Sequence, residues 1–340
     1  MRFRSFVTFS IASSLILFFC TLFFSQTAAA QTTALNISVT PKFPGPFETV
    51  TINVEDFSRD LNRTNIIWSV NNKIEEKGIG IKTHQIKTGA LGSTSNISID
   101  MGGAVKNITI RPTATDLIWQ ADTYTPPFYP GKALHSNQDP ITVVAEPYFI
   151  DSKGARLDPS TFVYRWKLNG EADSAASGYG KRIYKITPSI LIKPNDVSVE
   201  VTTSDETYKS GGSITINDTR PEILFYEKNP IYGINFGRTL NDKDFIMTND
   251  ETTIVGEPFF FSNAQKNTQS GLTYTWTQNG TTVQQEGNEL TFRKPEDQNG
   301  RAQIGLGIKN LERFMQFATG NFYVQFNNNT NIAPASQPIF

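Results

Sequence analysis

From residue 37 onward, apolar and polar residues alternate in short runs. Val50-Thr51-Ile52-Asn53-Val54 alternates strictly and closes on Glu55-Asp56-Phe57, and Asn96-Ile97-Ser98-Ile99 and Asn107-Ile108-Thr109-Ile110 do the same. A period of two is that of a half-buried strand. Three runs carry a tryptophan: Asn65-Ile66-Ile67-Trp68-Ser69-Val70-Asn71-Asn72, Val163-Tyr164-Arg165-Trp166-Lys167-Leu168-Asn169-Gly170 and Thr273-Tyr274-Thr275-Trp276-Thr277-Gln278-Asn279-Gly280. Each sets an apolar residue two before the Trp and an Asn-led pair three after it, which predicts a strand running into a tight turn. A sustained 3.6-residue apolar period is missing beyond the first thirty residues. Leu311 to Phe317 predicts one or two helical turns at most.

The runs recur in order. Pro44-Gly45-Pro46 forms a stiff turn ahead of the Val50 strand. That strand returns as Ile141 to Ala145, followed by Glu146-Pro147-Tyr148-Phe149, and as Thr252 to Gly256, followed by Glu257-Pro258-Phe259-Phe260. Trp68 and Trp166 are 98 residues apart, and Trp166 and Trp276 are 110 apart. Units of about 100 residues with some seven short strands suit an immunoglobulin-like sandwich. The expectation is an all-β chain of three tandem immunoglobulin-like β-sandwich domains after an N-terminal signal sequence. Its domains are expected over residues 31–113, 114–219 and 220–327, with a disordered tail over 328–340. Trp68, Trp166 and Trp276 are assigned to three separate cores.

The Trp strands with their Asn-Gly or Asn-Asn turns resemble those of bacterial extracellular immunoglobulin-like or PKD-like domains. So do the Glu-led strand ends and the pairs Gly78-Ile79-Gly80 and Gly178-Tyr179-Gly180. The resemblance covers residues 37–326. It departs from both families: Val54, Ala145 and Gly256 stand where a first immunoglobulin cysteine would be, and no Trp begins a Trp-x-Phe-Gly-Asp-Gly run. What it implies is a surface-exposed spacer or binding module with no reaction attached.

The first thirty residues are a different material. Arg2 and Arg4 precede an apolar run from Phe6 to Phe24, and Ala28-Ala29-Ala30 offers small residues ahead of Gln31. This is the three-part form of a secretory signal over residues 1–30. The alternative is an uncleaved anchor, because about 20 apolar residues can span a bilayer. Cys20, the sole cysteine, follows Phe18 and Phe19, which is not the small-residue context of a lipoprotein signal. Cleavage before Gln31 leaves no thiol and no disulfide framework. It also lowers the basic count from 31 to 29 against 32 acids, so the formal charge moves from -1 to -3. Nothing in that balance recruits nucleic acid. The expected location is extracytoplasmic, secreted or at the cell surface, with membrane contact only through residues 6–24 if they are retained.

Catalytic chemistry has few candidates. His84 and His135 are the two histidines, expected to be solvated, and no nucleophile-elbow, zincin or phosphate-loop motif occurs. No catalytic residue, cofactor or resident metal is assigned, and the protein is not expected to be an enzyme. Glu55, Glu146 and Glu257 recur at one place in each repeat, where each is expected to cap the end of its strand by accepting backbone hydrogen bonds. The alternative for them is calcium between domains, and Asn241-Asp242-Lys243-Asp244 and Asn249-Asp250-Glu251 are the comparable acidic clusters.

Tyr124-Thr125-Pro126-Pro127-Phe128-Tyr129-Pro130 and its counterpart Asn229-Pro230-Ile231-Tyr232-Gly233-Ile234-Asn235 are expected to pack at the junction with the preceding domain. Should they face solvent instead, Tyr124, Phe128, Tyr129 and Tyr232 make a partner surface. Seven Asn-x-Ser/Thr sequons, at Asn36, Asn62, Asn96, Asn107, Asn217, Asn279 and Asn328, arise easily in a chain this rich in Asn and Thr. The functional expectation is an exported spacer or adhesion module whose partner is a surface protein or glycan. The alternative is a carbohydrate-binding or substrate-positioning component of a surface enzyme or pilus assembly.

Overall fold

Seven strands alternating between two sheets build the first sandwich. They are β1 (Leu35–Thr40), β2 (Thr49–Asp56), β3 (Asn65–Val70), β4 (Lys73–Ile79), β5 (Thr83–Lys87), β6 (Ser95–Met101) and β7 (Val105–Ile110). One sheet has the order β1-β2-β5 and the other β4-β3-β6-β7. The coordinates are a computed structural model describing residues 35–187, 194–241, 243–263, 271–296 and 299–326. The expected signal sequence, Cys20 and the expected tail lie outside these residues.

The second sandwich repeats the first. Its strands are β8 (Ala114–Ala121), β9 (Ile141–Tyr148), β10 (Val163–Leu168), β11 (Glu171–Tyr179), β12 (Ile183–Ile186), β13 (Asn195–Thr202) and β14 (Lys209–Ile216). They pair as β12-β9-β8 and β11-β10-β13-β14. The third adds strands to the same plan: β15 (Glu222–Asn229), β16 (Gly233–Ile234), β17 (Asp244–Met247), β18 (Glu251–Phe259), β19 (Leu272–Gln278), β20 (Thr281–Val283), β21 (Glu289–Arg293), β22 (Gly300–Asn310) and β23 (Phe317–Phe326). Its sheets are β16-β15-β18-β21 and β17-β23-β22-β19-β20, and β17 runs parallel to β23. Two sheets per repeat, with crossovers returning strands to alternate sheets, make each one an immunoglobulin-like sandwich. The first sandwich is one compact unit, and the second and third belong together in another.

Each core follows from the alternation. In β2 the inward residues Val50, Ile52 and Val54 are buried with Ile66, Trp68, Ile97 and Ile99. Trp166 and Trp276 are likewise buried, each in its own cluster. Each of these three indole N–H groups finds a carbonyl after the following hairpin: Trp68 Nε1 donates to Ile81 O at 2.9 Å, Trp166 Nε1 to Lys181 O at 2.8 Å, and Trp276 Nε1 to Gly287 O at 3.0 Å. A buried Trp thus carries no unpaired donor. The Asn-led pairs all turn left-handed, at φ 47° and 68° for Asn71 and Asn72, 52° and 85° for Asn169 and Gly170, and 50° and 82° for Asn279 and Gly280. Two positive φ angles in a two-residue loop are the primed hairpin turn that matches strand twist.

Two expectations change here. Leu311 to Phe317 makes no helical turn; residues 311–316 are the loop between β22 and β23 and Phe317 opens β23, with the N–H groups of Glu312 and Arg313 both donating to Asn310 Oδ1 at 3.0 Å. That side chain offers the backbone an alternative to helical bonding. His84 is not solvated. On β5 the alternation Thr83-His84-Gln85-Ile86 puts it on the buried face with Ile86. Its ring stacks on Trp68 with centroids 5.3 Å apart, and its Nδ1 and Nε2 lie 2.7 and 3.2 Å from Glu76 and Glu75.

Candidate interaction surface

The connection from β8 to β9, residues 122–140, is the longest excursion of the second sandwich. It crosses to the third. Tyr124 N–H donates to Phe261 O at 2.7 Å, Phe260 N–H to Tyr124 O at 2.8 Å, and Asn263 N–H to Asp122 O at 3.1 Å, so the segment pairs like a short strand with the end of β18. Tyr124 Oη donates to Glu257 Oε2 at 2.9 Å, and burial, with Glu257 beside it, raises the phenol pKa. Tyr129 meets Phe259 and Phe260 edge-on, with centroids at 5.6 and 6.0 Å. Leu134, Leu224, Ile234 and Phe236 complete a cluster around Tyr226, Phe259 and Phe260. The aromatic-proline stretch was expected against the preceding domain. It packs on the following one, because a first-to-second-strand connection lies at the far end of its own sandwich.

Behind this strap is a buried polar joint. Gln316 Nε2 donates to Asp139 Oδ2 at 2.7 Å and to Asn137 O at 3.0 Å, while its Oε1 accepts from Ser262 N–H at 3.0 Å. Arg313 Nη1 donates to Gln138 O at 2.7 Å, and its Nε lies 3.4 Å from Asp139 Oδ1. Burial pushes the Asp139 carboxyl up to about 6. His135, also expected in solvent, is fully buried. Its Nε2 lies 2.9 Å from Asp218 Oδ1, and burial lowers its pKa. Both histidines are therefore held inside the fold beside carboxylates.

The three repeated glutamates are not strand caps. Their side chains stand on the outer face of the sheet, where their partners differ. Glu55 accepts from Asn53 Nδ2 at 3.4 Å, Glu146 pairs with Arg156 and Arg182, and Glu257 is buried under Tyr124. Among the described residues no group of three or more His, Cys, Asp or Glu is placed to hold a metal. Asn241 bonds the backbone of Phe225 and Ile223, and Asp244 pairs with Arg301; Asp242 lies outside the described residues.

The four candidate aromatics separate. Tyr124 and Tyr129 face the third sandwich, whereas Phe128 is 94 % and Tyr232 87 % exposed. Phe128 sits in a turn closed by Tyr129 N–H to Pro126 O at 3.3 Å, with φ of 65°. Proline followed by a left-handed residue is the pattern of a type II turn, which favours glycine there. Tyr232 and Ile231 crown the β15–β16 hairpin, where Asn229 Oδ1 accepts both their N–H groups at 3.0 and 2.8 Å. Phe47, which the sequence reasoning missed, ends Pro44-Gly45-Pro46 with φ of 57° and is 65 % exposed. The signal was there to read. All three connections from the first strand of a repeat carry proline and then an outward aromatic.

No protein-family model matches the chain, and no curated protein does either. Among solved structures, three N-terminal domains of the bacteriophage RB49 highly immunogenic outer capsid protein align over 86 % of this chain and 98 % of theirs, at 10 % identity and a TM-score of 0.26. A central fibronectin-III array of RIM-binding protein covers 86 % and 96 % at 11 % identity and 0.30. SGBP-B of the Bacteroides ovatus mixed-linkage glucan utilization locus, in complex with mixed-linkage heptasaccharide, covers 86 % and 70 % at 14 % identity and 0.23. Superpositions this loose carry no argument, and the sandwich assignment rests on the sheets themselves.

Proposed function

We propose that this chain is an exported, non-enzymatic interaction module, a run of rigid sandwiches that offers its loop tips to a partner at the cell surface. One observation carries the reading. The large apolar side chains more than four-fifths exposed, Phe57, Phe128, Ile231 and Tyr232, all stand on connections and hairpin tips, while the histidines are buried against carboxylates. Side chains of that kind contribute nothing to a core and do contribute to recognition. The apolar run Phe6–Phe24 supports export; among the described residues no helix is long and apolar enough to cross a membrane. Calcium between domains stays outside this reading.

The test uses the purified full chain on intact cells and on a panel of polysaccharide and peptide substrates. Saturable binding to cells without hydrolytic turnover is expected. Turnover on any substrate of the panel would overturn the reading. Mass spectrometry of the native N-terminus complements it: a start at Gln31 fits a released protein and a start at Met1 an anchored one.

A further inference from the structure

We infer that the proline-stiffened aromatic tips, Phe128 with Ile231 and Tyr232 foremost, are stacking platforms for an uncharged polysaccharide. This rests on the interaction-module reading and names the partner class. Phe128 is the sharpest observation. A bulky side chain in the left-handed region costs conformational energy, and at 94 % exposure it recovers none of that through packing. The fold would be served better by glycine or asparagine at this position. A ring held out at such a cost is held out for a ligand.

Further features choose the ligand. Residues 123–131 and 229–237 contain no charged side chain, so neither tip is built for a polyanion. Of the three cations bordering them, two are engaged elsewhere: Lys132 Nζ lies 3.2 Å from the centre of the Trp119 ring, and Lys228 Nζ binds Glu289 at 2.6 and 2.8 Å; the third, Arg238, is exposed beyond the hairpin. Both tips rise from one aromatic cluster, through Tyr129 and Ile234, which makes them two rigid contacts with little entropy left to lose on binding. The motif also returns at Phe47. Repetition of a weak, uncharged contact suits a ligand that itself repeats, because linked contacts multiply through effective concentration. Asn229 and Asn235, both exposed, adjoin Tyr232 in the chain; their Oδ1 atoms are taken by the turn backbone, and their amide N–H groups can donate to sugar hydroxyls. A bilayer interior would leave those amides unanswered.

The full chain is tested by affinity electrophoresis through gels containing mixed-linkage β-glucan, arabinoxylan, galactomannan or dextran. Retardation in at least one gel is expected. Phe128→Ala and Tyr232→Ala should each weaken it about tenfold, and the double variant should abolish it with an unchanged thermal melt. Ile118→Ala, on an exposed strand away from the tips, should bind as wild type. No retardation in any gel overturns the proposal, as does equal retardation of the double variant. Loss of binding to phosphatidylcholine vesicles in the double variant, without polysaccharide binding, overturns it in favour of a lipid surface. If the double variant loses no binding to intact cells, the sugar proposal fails while the interaction-module reading stands.

Discussion

The second and third sandwiches present the same sheet face to different surroundings. Counting two residues back from the repeated glutamates, Val144 and Val255 occupy one position. Val144 lies between Ile118 and Ile183 in a row across β8, β9 and β12. Ile118 is 60 % and Ile183 52 % exposed. Val255 lies between Tyr226 and Glu289 across β15, β18 and β21, and both it and Tyr226 are buried. In the first sandwich the corresponding row is Ser38, Asn53 and Thr83, wholly polar. One topology therefore supports a wet face, an open apolar row and a covered face. The strand order does not decide which. A strap lent by the neighbouring sandwich does so together with Phe236 of the third sandwich's own chain, whose ring meets Tyr226 edge-on, and Glu257 shows the consequence: at the position where Glu146 meets two arginines near solvent, it is enclosed with a tyrosine hydroxyl.

The sharpest way to break this comparison is truncation on both faces. Phe259→Ala removes a buried ring from the strap's cluster and should cost about 3–5 kcal/mol of unfolding free energy. Ile118→Thr, on the open row, should change stability by no more than about 0.5 kcal/mol. Chemical denaturation of the full chain reads both. Equal losses would mean that the open row is covered in solution. Next in size is the polar pair. Tyr124→Phe strips a donor from the buried Glu257 and should cost about 1–3 kcal/mol, whereas Glu146→Gln breaks half-exposed ion pairs worth about 0–1 kcal/mol.

The joint behind the strap adds a pH dependence that the open face lacks. Asp139 has an ordinary value of 3.8 when unfolded and about 6 when folded. Its favourable contribution is thus fully present below 3.8 and is lost as pH rises to about 6. His135 runs the other way: with its folded value lowered from 6.5, stability declines as pH falls below 6.5. A melt of the wild type alone mixes the two. The difference between wild type and Asp139→Asn separates them, and the variant should gain on the wild type between pH 4 and 6 and hold that gain above. A difference that stays flat over this window would show that Arg313 and Gln316 offset the burial of the charge.

Much of this was legible along the chain and some of it was not, for physical reasons. The Trp hairpins declared themselves because both turn chemistry and alternation are local. His84 could have been placed by the same alternation, since it shares parity with Ile86. The covered face also left a trace: Ile254-Val255-Gly256 and Phe259-Phe260-Phe261 are apolar at both parities, the mark of a strand buried on two sides, while β2 alternates. What no local pattern encodes is which body does the covering. A connection written between two strands of the second sandwich carries nothing that says its aromatics will be spent on the third.

The smallest effect is expected within that connection, between two adjacent aromatics. Tyr129 packs edge-on against Phe259 and Phe260, and Phe128 touches solvent at a φ that disfavours it. Phe128→Gly relieves the left-handed conformation but gives the unfolded chain more freedom, so the two terms nearly offset. Stability should stay level or rise by up to about 1 kcal/mol. A fall of similar size to that of Tyr129→Ala would mean that the Phe128 ring supports the strap, and its strained backbone would then need no ligand to explain it.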